Sequence, residues 1–259
     1  MKDSIAKPGP WDDLREQFLL CEELASANGM KNIPTFGERA FRFYTSLELR
    51  NKLPRGVVVM NPYRTPRIRD YIRLFLSTFF SDNHKRVLVF GINPGRFGAG
   101  ITGVTFTDPI ALETFCAVPN DLPKKRELSS VFIYEFIKLW GGPKKFYRKF
   151  FLTAVSPLGF VKEGRNFNFY DHPTLLRNIK PFLIRSIEFQ LRFGARREAA
   201  IVLGTGKIKQ VFEDLNRECN FFKTVHALEH PRFIMQYRRR KLRDYLPKYS
   251  EVFKQALQE

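Results

Sequence analysis

Val87-Leu88-Val89-Phe90-Gly91-Ile92-Asn93-Pro94-Gly95-Arg96-Phe97-Gly98 is the stretch that decides the fold. Its first four residues are apolar without alternation, which is how a strand buried on both faces of a parallel sheet reads. The run ends in a Gly/Pro-rich turn carrying a single amide side chain, Asn93. A turn of this kind sets that side chain at the carboxyl edge of a sheet, where open α/β folds bind their ligands. The loop continues as Ala99-Gly100-Ile101-Thr102-Gly103-Val104-Thr105-Phe106, rich in glycine and closed by an aromatic residue. It suits backbone pressed against a flat ligand, with a ring stacked on it.

Outward from this strand (86–90), mainly apolar runs recur at 151–155, 199–203 and 223–228. Helical spacing separates them at 129–139, 173–193 and 207–216, the last opened by the turn Gly204-Thr205-Gly206. Strands alternating with helices predict an α/β fold: a central four-stranded parallel sheet, helices on both faces, right-handed crossovers. Upstream, 11–27 and 36–49 show helical spacing and form an expected N-terminal helical extension over 1–54. The turn cluster at 61–66 leads into a helix at 68–80, and a last helix is expected at 238–257, dented at Pro247. No internal repeat or linker divides the chain, so 1–259 reads as a single domain.

Charge narrows the partner. The 259 residues include 44 Lys and Arg against 26 Asp and Glu, a net charge of +18. That excess favours a polyanion, either nucleic acid or an anionic membrane surface. No apolar run reaches the ~18–20 residues a bilayer span needs, and Met1-Lys2-Asp3-Ser4 does not begin a signal peptide. A soluble, monomeric nucleic-acid protein without a membrane partner is therefore the expected reading. Cys21, Cys116 and Cys219 are far apart and odd in number, so neither a disulfide framework nor a CxxC knuckle is expected. A reducing intracellular compartment fits: cytoplasm or nucleoid in a bacterium, nucleus in a eukaryote. No His/Cys/Asp/Glu spacing suggests a metal, and no cofactor is expected.

Two nucleotide-binding signatures almost fit the glycine loop. Gly98-Ala99-Gly100-Ile101-Thr102-Gly103 is a literal GxGxxG, but it begins seven residues after Gly91 and runs into Val104–Pro109, a poor helix start. Read as a Walker A loop, 95–102 has Ile101 where the phosphate-binding lysine belongs. A second polar group at a strand end is His230, in Val225-His226-Ala227-Leu228-Glu229-His230-Pro231. A histidine here has a structural role more often than a catalytic one, but a His-Pro turn at a strand edge points outward. His84 and His172 fall in turns and read as surface residues. Downstream, Arg232, Phe233, Arg238, Arg239, Arg240 and Lys241 pair apolar side chains with a dense basic run. They suit phosphate neutralisation, with Phe233, Ile234 or Met235 filling a gap in the base stack. The plainer reading is a solvated helix face.

Together these residues resemble the uracil-DNA glycosylase superfamily, in particular its single-strand-selective monofunctional branch. That family's first motif reads Gly-Met-Asn-Pro-Gly-Pro-Phe-Gly, with Thr-Gly-Val-Pro-Phe following; here Gly91–Gly98 and Thr102–Phe106 match without a gap. Ser156-Pro157-Leu158, Gly164-Arg165-Asn166 and Glu229-His230-Pro231 look like its later blocks. The resemblance implies a monofunctional glycosylase that hydrolyses the N-glycosidic bond of uracil in DNA, with other deaminated bases in range, and leaves an abasic site for base excision repair. It implies that Asn93 positions water near C1′, Phe106 stacks on the extruded base, Gly95 crowds the C5 edge, backbone at Ile92 holds the base, and His230 donates to uracil O2. Three positions depart from the pattern. Ala154 replaces the amide that reads the far edge of the base, a task Asn166 or Asn168 could take over; Ala99 replaces a Met; Arg232 replaces the Ser after His-Pro. A non-catalytic binder of damaged or single-stranded DNA on the same fold is the alternative.

Overall fold

A computed structural model describes residues 33–259; the helix expected at 11–27 lies outside them. In chain order the elements are α1 Phe36–Ser46, β1 Val57–Met60, α2 Pro66–Phe79, β2 Arg86–Gly91, α3 Ala99–Thr102, α4 Pro109–Thr114, α5 Leu128–Leu139, α6 Pro143–Tyr147 and β3 Phe150–Ala154. There follow β4 Gly159–Lys162, β5 Arg165–Phe167, α7 Pro173–Leu191, β6 Ala195–Leu203, α8 Lys207–Cys219, β7 Thr224–Leu228, α9 Pro231–Tyr237 and α10 Leu242–Gln258.

The four expected strands form one sheet in the order β3-β2-β6-β7, with every pairing parallel. β3 lies on one side of β2 and β6 on the other, so the chain reverses its winding at β2. Such a reversal leaves a crevice at the carboxyl ends of the strands. The register sets Gly91 beside Ala154 and Leu203 beside Leu228 at that edge.

Aromatic residues build the core on both faces. Period-two alternation in β3 sends Phe150 to Trp140, Phe146 and Phe253, with centroids 5.2, 5.1 and 4.8 Å away. Phe151 points the other way, to Phe36, Phe80 and Phe193 at 5.0, 5.1 and 6.0 Å. Helices therefore cover both faces, and each fully buried Phe contributes roughly 1.5–3 kcal/mol. α1 opens with a capping box: Thr35 Oγ1 accepts the Glu38 N–H while the Glu38 carboxylate accepts the Thr35 N–H.

The structure departs from the sequence reading in four places. A second, antiparallel sheet, β1-β4-β5, has no counterpart in the expected elements. Its strands are three or four residues long and half exposed, so they show no strong period. β6 starts at Ala195 rather than 199, because its first residues, Arg196, Arg197 and Glu198, are polar. The last helix does not begin at 238. Pro231–Tyr237 is a helix of its own, a 3-10 turn covers Arg239–Lys241, and the terminal helix starts at Leu242. His172 caps α7, its Nδ1 accepting the Thr174 N–H at 3.2 Å, and is not simply a surface residue.

Candidate active site

β2 ends at Gly91, and that glycine sets the position of an aromatic ring. A Cβ there would lie 2.7 Å from Cζ of Phe106, so only hydrogen lets the ring rest on the strand end. Phe106 has φ 56°, the left-handed region that a side chain normally avoids. Thr102 stabilises the bend: its Oγ1 donates to the Thr107 carbonyl at 2.7 Å and accepts the Val104 N–H at 3.1 Å. The Phe106 ring lies 5.9 Å from the His230 imidazole, centroid to centroid.

Asn93 follows two residues after Gly91. Its Oδ1 accepts the Phe169 N–H at 3.3 Å, and its Nδ2 faces the carbonyls of Pro94 and Phe167 at 3.3 and 3.4 Å. These long bonds orient the amide and leave Oδ1 a lone pair for a further donor. Part of the holding backbone comes from the small sheet: Phe167 ends β5, and Phe169 lies two residues beyond it. β4 and β5 are joined by a tight turn with positive φ at both central residues, Glu163 (49°) and Gly164 (68°), as a two-residue hairpin needs. The same hairpin brings Asn166 to the first loop, where its Oδ1 accepts the Arg96 N–H at 3.0 Å. A Cβ on Gly95 would lie 3.4 Å from Asn166 Nδ2.

His230 stands just past β7 and caps α9, with Pro231 at the first helical position. Its Nδ1 accepts the Arg232 N–H at 3.1 Å. Nδ1 therefore carries no proton, and the neutral ring holds its proton on Nε2. Burial drives the imidazole pKa down to about 4, and the charge on Arg232 pushes the same way. At neutral pH His230 is an uncharged donor. Its neighbour Glu229 is anchored to α10: its carbonyl accepts the Tyr249 hydroxyl and its carboxylate pairs with Lys248 at 2.8 Å.

These groups line one cavity of about 650 Å3. Ile92, Asn93, Gly95, Phe106, Ala154, Asn166, His230, Arg232 and Phe233 all face it. Arg238, Arg239, Arg240 and Lys241 do not line it; they are exposed just beyond Tyr237, which does. Ile234 and Met235 are buried, leaving Phe233 (41% exposed) as the apolar side chain at the rim. Sequence reasoning did not single out Arg96, Phe97, Glu127, Ser129, Gln236 or Tyr237, which also line the cavity. Glu127 is the only carboxylate in that lining among the described residues, and it is engaged: its oxygens accept the Ser129 hydroxyl at 2.9 Å and the Ser130 N–H at 3.1 Å, capping α5. No lysine among the described residues lines the cavity. Among the described residues no group of three or more His, Cys, Asp or Glu could hold a metal ion, and no helix is long and apolar enough to cross a membrane.

The site therefore offers an oriented amide, an aromatic floor and a neutral imidazole donor, with neither a free carboxylate nor an amine. The chain as a whole is similar to known proteins. The single-strand selective monofunctional uracil-DNA glycosylase of Rattus norvegicus is 28% identical over 178 residues, covering 59% of this chain and 60% of that protein. Its Mus musculus counterpart is 30% identical over 129 residues, 42% of this chain and 44% of that one. The chain thus spans well under two thirds of the length of these curated relatives. The crystal structure of wild-type SMUG2 from Pedobacter heparinus superposes with a TM-score of 0.83 at 38% identity, covering 86% of this chain and 98% of that chain. The family profile of the uracil DNA glycosylase superfamily matches residues 78–258, a span that holds Asn93, Phe106, Asn166 and His230, and the chain belongs to that superfamily.

Proposed function

We propose that this chain is a monofunctional DNA glycosylase that hydrolyses the N-glycosidic bond of deoxyuridine in DNA, with other deaminated bases within reach, and leaves an abasic site. The observation that carries the reading is the Nδ1 acceptor bond of His230. It fixes an Nε2–H donor inside the same cavity as the Asn93 amide.

Cleavage of the bond between C1′ and the base nitrogen leaves its electron pair on the base and oxocarbenium character on the sugar. Negative charge collects on the carbonyl oxygen beside that nitrogen. A preorganised donor at this oxygen lowers the barrier by about 3–4 kcal/mol, and His230 Nε2–H is placed to supply it without giving up its proton. Asn93 Oδ1 holds a water for attack at C1′. The amide cannot take the water's proton, so the proton leaves to solvent after the carbon–oxygen bond forms, and the departing base anion is reprotonated there. Phe106 stacks on the extruded base, while Gly95 and backbone at Ile92 border its edge. With Ala154 offering only a methyl group, Asn166 reads the far edge. Among the described residues no lysine lines the cavity, which supports simple hydrolysis with no accompanying strand cleavage.

Extruding a base costs a few kcal/mol, least from single strands or mispairs. Phe233 at the rim and the cations Arg232, Arg238, Arg239, Arg240 and Lys241 are suited to offset that cost on DNA. The test is single-turnover base release from single- and double-stranded oligonucleotides carrying uracil, hypoxanthine, xanthine or thymine. Uracil release that falls by at least about a hundredfold in both Asn93→Ala and His230→Ala is the expected result. Intact DNA binding with no release from any substrate would leave a binding protein on a glycosylase fold.

A further inference from the structure

Phe97 is a large aromatic side chain that lines the cavity and yet is 40% exposed. Cations flank it: the Arg96 guanidinium carbon lies 5.0 Å and the Lys125 ammonium 5.4 Å from the ring centroid. Neither cation forms an ion pair among the described residues, although exposed lysines nearby do, Lys124 with Glu113 at 2.9 Å for example. Arg96 is also half-buried, and its Nε meets no hydrogen-bond partner among the described residues. Leaving a buried charged donor unpaired costs stability, so an arginine retained in that state points to an acceptor that arrives from outside.

An exposed ring next to unpaired cations, at the mouth of a cavity in a chain of net charge +18, matches one kind of partner. Bases stack on aromatic side chains whatever their identity, while arginine and lysine hold the adjoining phosphate. We propose that Phe97, Arg96 and Lys125 form a second nucleotide subsite, taking the nucleotide next to the extruded one in a DNA strand: its base stacks on Phe97, and its phosphate is held by Arg96 and Lys125. The subsite rests on the glycosylase reading for its location but not for its readout, which is binding.

The probe is a single-stranded oligonucleotide carrying a tetrahydrofuran abasic analogue, which needs no chemistry, with 2-aminopurine as its 5′ or 3′ neighbour. Binding to the wild-type chain quenches the fluorescence in one of the two positions. Phe97→Leu is expected to abolish the quench and weaken binding about tenfold; Phe97→Trp, which keeps a stacking face, retains both. Arg96→Gln reduces the salt dependence of binding by about one counterion and keeps the quench. Full quenching in Phe97→Leu, or no quench at either neighbour of a bound wild-type complex, would overturn the subsite while leaving the glycosylase reading standing. No binding by the wild-type chain would count against both, and base release measured separately would then decide the glycosylase reading on its own.

Discussion

Arg86 and Arg96 stand at opposite ends of one strand and its loop, and the fold treats them in opposite ways. Arg86 opens β2 fully buried, yet every part of its guanidinium is occupied. It donates to the carbonyls of Tyr147 (2.7 Å), His84 (2.9 Å) and Phe79 (3.4 Å), pairs with Asp82 at 2.9 Å, and lies between the rings of Phe36 and Phe80 at 4.7 and 4.8 Å. Arg96 leaves its Nε unmatched among the described residues. A saturated cation ties the amino edge of the sheet to its helices; an unsaturated one keeps the carboxyl edge open to a ligand. Stability is concentrated at one end of β2 and binding capacity at the other.

The largest effect is expected at Arg86. Arg86→Leu strips a buried network of its donors and should cost about 3–5 kcal/mol, read as a lower denaturant midpoint; a loss under 1 kcal/mol would break the contrast. His230 comes next, through pH. Its folded pKa of about 4 lies below the ordinary 6.5, so the unfolded chain binds the proton more readily. Its contribution to stability is fully present above pH 6.5 and is lost as pH falls toward 4. His230→Gln should flatten the stability–pH curve in that window, and wild-type base release should hold level from pH 8 to about 5 before falling. Ala154→Asn restores an amide at the far wall and should shift selectivity toward uracil over hypoxanthine by about tenfold, compared as single-turnover rates. Smallest of all, Arg96→Gln removes a charged donor that is unpaired in the free chain and should raise stability by about 1 kcal/mol at most, which calorimetry would check.

The parts of the molecule most legible in sequence are those whose signal is local. Val87–Phe90 announces a buried parallel strand without help from any partner, and Asn93 and Phe106 follow from the loop it feeds. His230 is visible because Pro231 marks the turn. The small sheet is a different matter. Val58 is 63% exposed, and Arg165 and Asn166 are solvent-facing, so no periodicity marks strands there. Yet β5 and the residues just after it supply backbone that orients Asn93, through the Phe167 carbonyl and the Phe169 N–H. Glu127, Gln236 and Tyr237 reach the cavity through helix placement alone, which composition does not record. The basic run at 238–241 is the converse case: conspicuous in sequence, it forms an exposed 3-10 turn outside the cavity wall.

The anchoring of Glu229 by Tyr249 and Lys248 also bears on how the protein is made. Synthesis runs from the amino end, so the first loop, the sheet and even His230 leave the ribosome before the helix that fixes the strand end presenting it. Until that helix is added, Glu229 lacks its contacts with Tyr249 and Lys248, and the aromatic core around Phe150 lacks Phe253. One late helix thus closes the aromatic core and fixes the strand end that carries His230, so core and site are completed in the same step of synthesis.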